Sequence, residues 1–103
     1  MKTFPALLSL ALSCTAAAAA PDVQQQLAQY RCNICHAERE TLAGPSYADI
    51  AAAYRTQKQA AALLAARIRV GAHGGGLWHM PPHPEVSKAA ADAMARYILT
   101  VTP

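Results

Sequence analysis

Cys32, Asn33, Ile34, Cys35 and His36 stand in unbroken order, a Cys-x-x-Cys-His run. Two thiols about one helical turn apart can each add to one of two neighbouring vinyl groups on a porphyrin edge, and the adjoining imidazole then swings beneath the ring to the iron. Zinc knuckles and redox disulfides also use Cys-x-x-Cys, but neither needs histidine at the next position. Zinc would require two further ligands at regular spacing, and the chain has no second Cys-x-x-Cys. The pattern therefore predicts one haem c held covalently by Cys32 and Cys35, with His36 as an axial iron ligand.

A six-coordinate iron needs a second axial ligand opposite His36. Met80 is the preferred candidate, in a loop where Pro81 and Pro82 limit backbone freedom. Met94 falls on an apolar helical stripe and is expected in the core. His73, His79 and His83 share the loop with Met80 and are rival nitrogen donors. Each is expected to be a solvated surface imidazole, and His79, adjoining Met80, is the most serious competitor.

The elements that must position these side chains are helical. Asp22 caps a helix from Val23 to about Cys32, with Val23, Leu27 and Tyr30 on one face. Residues 37–45 read as loop, ending in Gly44-Pro45. Ser46 caps a short helix to about Tyr54, with Tyr47, Ile50, Ala51 and Tyr54 on its inner side. A third helix, from about Lys58 to Val70, buries Leu64 and Ile68, with Leu63 as a further candidate, and Gly71 stops it. From Gly71 to Glu85 four glycines and three prolines exclude regular structure. Ser87 caps a last helix striped by Met94, Tyr97, Ile98 and Val101. Runs of β-branched residues with period-two alternation are missing, so the expected fold is all-α, with about four short helices around the haem.

Residues 1–20 read as a secretory signal peptide and 21–103 as the mature domain. Lys2 supplies the positive start, Phe4 to Leu12 an apolar run too short to span a bilayer, and Ala16 to Ala20 the small residues for cleavage, near Ala20. A lipoprotein signal would place Leu three positions before Cys14, where Ala11 stands. No later stretch approaches the ~20 apolar residues of a membrane span, so no stable membrane insertion is expected. Removing Lys2 lowers the formal net charge from +3 to +2. No run of like charges appears, which excludes the dense basic face of a nucleic-acid binder. About 83 mature residues make a core that is marginal on its own, and a large apolar cofactor would complete it.

On these residues the chain resembles the short bacterial class I cytochromes c, periplasmic monohaem carriers of about this mature length. The likeness runs through Cys32–His36, Gly44-Pro45-Ser46-Tyr47, Arg67-Ile68 before the glycine loop, Met80-Pro81-Pro82 and the closing helix. It implies the cytochrome c fold, first and last helices crossing with the haem edge-on in a crevice. It also implies that the Pro45 carbonyl accepts the outer N–H of His36, and that Arg67 and the Trp78 indole contact a haem propionate. One departure weakens the last point: only His79 separates Trp78 from Met80, where the family usually has several residues.

With His36 and Met80 both bound, the iron has no vacant position, and outer-sphere electron transfer follows rather than enzymatic bond-making. The expected role is a periplasmic, monomeric electron carrier between a respiratory donor and a terminal reductase or oxidase. Its redox partners would be met through transient contacts of under ~1,200 Å². Two other classes stay open: a fixed haem subunit of a larger dehydrogenase or sulfur-oxidising complex, and a haem-based sensor with a labile sixth ligand.

Overall fold

A computed structural model describes residues 1–14, 22–73 and 79–103. Residues 1–14 carry no helix or strand and are exposed throughout. Ala16–Ala20, where cleavage is expected, lie outside the described residues. Among those described, no helix is long and apolar enough to cross a membrane.

Helix α1 spans Val23–Gln29, its first turn closed by the Asp22 carboxylate, which accepts from the Gln24 N–H at 3.3 Å. It does not run on to Cys32 as the side-chain spacing suggested. Arg31 adopts a left-handed conformation (φ 61°) and breaks the ladder, and Cys32–Cys35 form a separate turn, α2. A side chain at positive φ costs on the order of 1 kcal/mol. Here the reversal lets α1 pack on the last helix while the cysteine pair turns to the cleft described below. Side-chain periodicity has no term for one residue of opposite backbone hand.

Ser46 caps α3 (Tyr47–Tyr54) through its Oγ, 3.1 Å from the Asp49 N–H. Helix α4 spans Ala60–Val70, starting two residues later than its sequence suggests because Gln59 is also left-handed (φ 61°). Leu64 and Ile68 are buried, whereas Leu63 is 41 % exposed and belongs to the outer face. Gly71 ends the helix at φ 83°, a conformation open to glycine without strain. The last helix, α5 (Lys88–Ile98), is capped by Ser87 Oγ, 3.1 Å from the Ala90 N–H.

The stretch after Gly71 is not free of regular structure. Strand β1 (Ala72–His73) pairs antiparallel with β2 (His79–Met80), Ala72 opposite Met80 and His73 opposite His79. Glycine and proline content predicts where long elements fail, but does not forbid a two-residue pair. The fold remains all-α apart from that pair. Helix α5 is its hub, touching α1, α3 and α4. Met94 and Val86 on this side meet Leu27 of α1, and all three are almost wholly enclosed. Much of the rest of the core is alanine (Ala48, Ala51, Ala60, Ala90, Ala91, Ala95), so the helices approach closely but supply little apolar bulk.

Candidate functional site

Between α2, α3, α4 and the strand pair lies a cleft of about 640 Å³. Its interior surface is largely apolar, formed by Leu27, Tyr47, Ile50, Tyr54, Leu64 and Ile68. Five of the residues singled out in the sequence reach it from separate segments: Cys32, Cys35 and His36 from the motif, Arg67 from α4 and Met80 from β2. Pro45, in the loop before α3, also lines it.

His36 follows the last residue of α2 in extended conformation (φ −124°, ψ 147°). Its Nδ1 lies 2.6 Å from the Pro45 carbonyl oxygen. A carbonyl only accepts, so Nδ1 carries the proton and Nε2 presents its lone pair. The ring rests flat on the backbone of Gly44. A Cβ built there would fall 2.5 Å from His36 Cε1 and 2.9 Å from Nδ1, so any larger residue would push the imidazole aside. The ring also stacks with Tyr47 (centroids 5.7 Å apart, planes 22° apart). The Tyr47 hydroxyl donates to Asn33 Oδ1 at 2.8 Å, tying α3 to the middle of the motif. Burial pushes the Tyr47 hydroxyl well above the ordinary tyrosine range, so it stays a donor. Sequence reasoning placed Tyr47 only on the inner side of a helix and gave Gly44 no role beyond ending a loop. Their spacing from His36 carries no signal, because the contact forms across a loop.

Met80 enters from the opposite part of the chain. Successive strand residues face opposite ways, and here His79 points out, exposed, while Met80 is half-buried and packs against the core cluster. Its backbone is held at close range by the end of α4: a Cβ on Gly71 would meet the Met80 carbonyl oxygen at 2.7 Å and the Pro82 nitrogen at 3.0 Å. The His83 N–H donates to the Ile68 carbonyl at 3.2 Å, a further tie of this loop to α4.

The profile of one protein family, described as Cytochrome c, matches residues 23–102. The chain belongs to the cytochrome c family. It is 43 % identical over 72 residues to cytochrome c-551 of Azotobacter vinelandii, covering 67 % of this chain and 84 % of that one. With cytochrome c-552 of Nitrosomonas europaea it shares 42 % over 71 residues, 68 % of this chain and 69 % of the relative. The crystal structure of wild-type Nitrosomonas europaea cytochrome c552 superposes with a TM-score of 0.74 at 38 % identity, covering 77 % of this chain and 99 % of that one. The class 1 cytochrome MtoD of Sideroxydans lithotrophicus ES-1 shares the fold, with a TM-score of 0.67 at 22 % identity. These are short bacterial monohaem relatives, as the sequence resemblance implied, and the all-α cytochrome c fold is the one observed.

With the family comes one covalently attached haem c. The residues of the cytochrome's cleft fit that group. Its surface is apolar, both motif thiols are unpaired, and an imidazole of defined tautomer and a thioether reach the same space. Burial raises the Cys32 thiol above its ordinary value, and Cys35 is exposed.

The remaining candidates are placed unevenly. Arg67 is exposed at the cleft, its guanidinium carbon 5.8 Å from the centroid of the Tyr54 ring. Trp78 lies outside the described residues. His73 and His79 sit at the cleft's rim, and His83 turns back on its own loop, with Nδ1 3.1 Å from the Pro81 carbonyl. Met94 is fully enclosed in the core.

Proposed function

We propose that this cytochrome is a periplasmic, monomeric one-electron carrier, exported with residues 1–20 as a cleaved leader. Its haem is bonded through thioethers to Cys32 and Cys35, with His36 and Met80 as the iron ligands. The bound group supplies one-electron exchange between ferrous and ferric iron. The observation that carries this reading is the position of Met80, half-buried at the cleft and packed against the core cluster, whereas the rival imidazole of His79 at the rim is exposed.

The chain's own residues set how that exchange proceeds. Pro45 holds the His36 proton on Nδ1, which orients Nε2 and makes the imidazole a better donor. Met80 donates weakly to ferric iron and so favours the ferrous state and a high potential. The apolar walls act in the same direction, because the ferric site carries one more positive charge to bury. His36 and Met80 would hold the iron in both oxidation states, which keeps rearrangement small. Arg67, exposed at the cleft, would meet a propionate. A respiratory donor and a terminal reductase or oxidase are the expected partners, meeting the exposed edge near Cys35.

Two measurements on purified protein test the reading together. Denaturation in acid acetone should leave the haem attached, with the mass of the cleaved chain plus one haem. The ferric protein should show the weak red band of an iron–thioether bond, and the ferrous form should not bind carbon monoxide at neutral pH. A freely extracted chromophore would refute attachment at the two cysteines. Ready carbon monoxide binding would refute the carrier and favour a sensor.

A further inference from the structure

The exposed face of the β1–β2 pair, at the rim of the cleft, carries a second arrangement of donor atoms that electron transfer does not use. His73 and His79 are directly opposite one another in the antiparallel register, so both side chains project to the same face. Both are exposed. Their ring centroids are 5.4 Å apart, with the planes inclined at 33°. Metal–imidazole bonds are about 2.0–2.1 Å long, so two imidazoles on one ion bring their centroids to roughly 4.5–6.5 Å. The observed separation lies inside that range.

We propose that His73 and His79 chelate one divalent transition-metal ion, separate from the haem iron, on the exposed face of this strand pair at the cleft's rim. Among the described residues no group of three His, Cys, Asp or Glu side chains comes together. The protein therefore supplies two nitrogen ligands and water completes the shell. Such a donor set selects borderline ions (Cu²⁺, Ni²⁺, Zn²⁺) over Mg²⁺ or Ca²⁺, which prefer oxygen. The ion bridges β1 and β2. Because His79 adjoins Met80, and Ala72 beside His73 is paired with Met80, occupancy fastens the strand that carries Met80. His83 is outside the pair, engaged with the Pro81 carbonyl.

Calorimetric titration of Zn²⁺ into untagged ferric holoprotein tests this, the ferric state preventing reduction of the added metals. One ion per chain should bind. His73→Ala and His79→Ala should each weaken binding at least tenfold, and His83→Ala should stay within twofold of the unaltered protein. Cu²⁺ should bind more tightly than Ni²⁺, following the order for nitrogen sites. The haem absorption spectrum of every variant should be unchanged, which shows that the variants fold. Absence of saturable binding up to millimolar Zn²⁺, or undiminished binding in the double variant, overturns the proposal. A changed haem spectrum in His79→Ala also overturns it, since His79 would then be on the iron.

Discussion

At Met80 the side chain's identity and its direction contribute separately. A methionine in a proline-braced loop is only a candidate ligand, and the pairing of β2 with β1 is what turns it inward. Met80→Ala should abolish the red band and open the ferrous iron to carbon monoxide. Met80→His should keep six-coordinate iron but lower the potential by a few hundred millivolts, within the ~0.8 V that axial ligands set. Redox titration with optical spectra checks both, and an unaltered band in Met80→Ala would assign ligation elsewhere. Arg67 presents a finer question. It stands at the cleft with its guanidinium near the Tyr54 ring, and the proposed role puts its charge beside the haem. Arg67→Gln should lower the midpoint potential modestly and alter its dependence on pH if a propionate titrates beside it. A midpoint identical at every pH would remove Arg67 from the site.

Among the elements, the segment just after His36 is held most densely. Tyr47 and Ala48 at the start of α3 donate their N–H groups to the carbonyls of Ala37 and Glu38, both at 2.9 Å. Arg39 Nε donates to the Thr102 carbonyl at 3.1 Å, and Arg55 Nη2 to that of Val101 at 3.0 Å. From α5 the Tyr97 hydroxyl donates to the Glu38 carboxylate. The last bond makes stability depend on pH. The hydrogen bond to Glu38, and secondarily burial, raise the Tyr97 hydroxyl above its ordinary value of 10.0. The folded chain then holds this proton more tightly than the unfolded chain. The resulting stabilisation is complete below pH 10 and declines as pH rises above it. Tyr97→Phe should cost under about 1 kcal/mol at neutral pH, as expected of a partly exposed hydrogen bond. It should also make the alkaline decline shallower. Denaturant unfolding at pH 7 and at steps above pH 9 measures both, and parallel alkaline declines would show that the bond does not form in solution.

For the molecule as a whole, the apolar cleft and the alanine-rich core are two aspects of one shortage. Among the described residues the bulky side chains enclosed almost completely are Leu27, Tyr47, Val86 and Met94, while Ile50 and Tyr54, half-buried at the cleft, would gain cover from a bound haem. Replacing both Cys32 and Cys35 with Ala should therefore yield a haem-free chain with little helical circular dichroism and no cooperative thermal transition, by the linkage that couples prosthetic groups to folding. A cooperative melt in that variant would show that the helices suffice without the cofactor.

The sequence alone determined the cofactor, because covalent attachment requires contiguous residues, and a five-residue run holds all the local chemistry it needs. Helix positions were legible for the same reason: Asp22, Ser46 and Ser87 cap within three residues of themselves, and the stripe Met94–Ile98–Val101 follows the helical period. What lay beyond reach was every feature made by residues distant in the chain or by a backbone reversal. Left-handed Arg31 and Gln59 cut helices that apolar spacing would have continued. The stacking of Tyr47 on His36, the room left by Gly44 and the pairing of His73 with His79 arise from contacts between separate segments in three dimensions. Tertiary structure likewise sets the different burial of Met80 and its neighbour His79, the first half-buried and the second exposed. One residue's shift along a strand reverses the face a side chain takes, and only the register of the partner strand sets which of the two is turned inward.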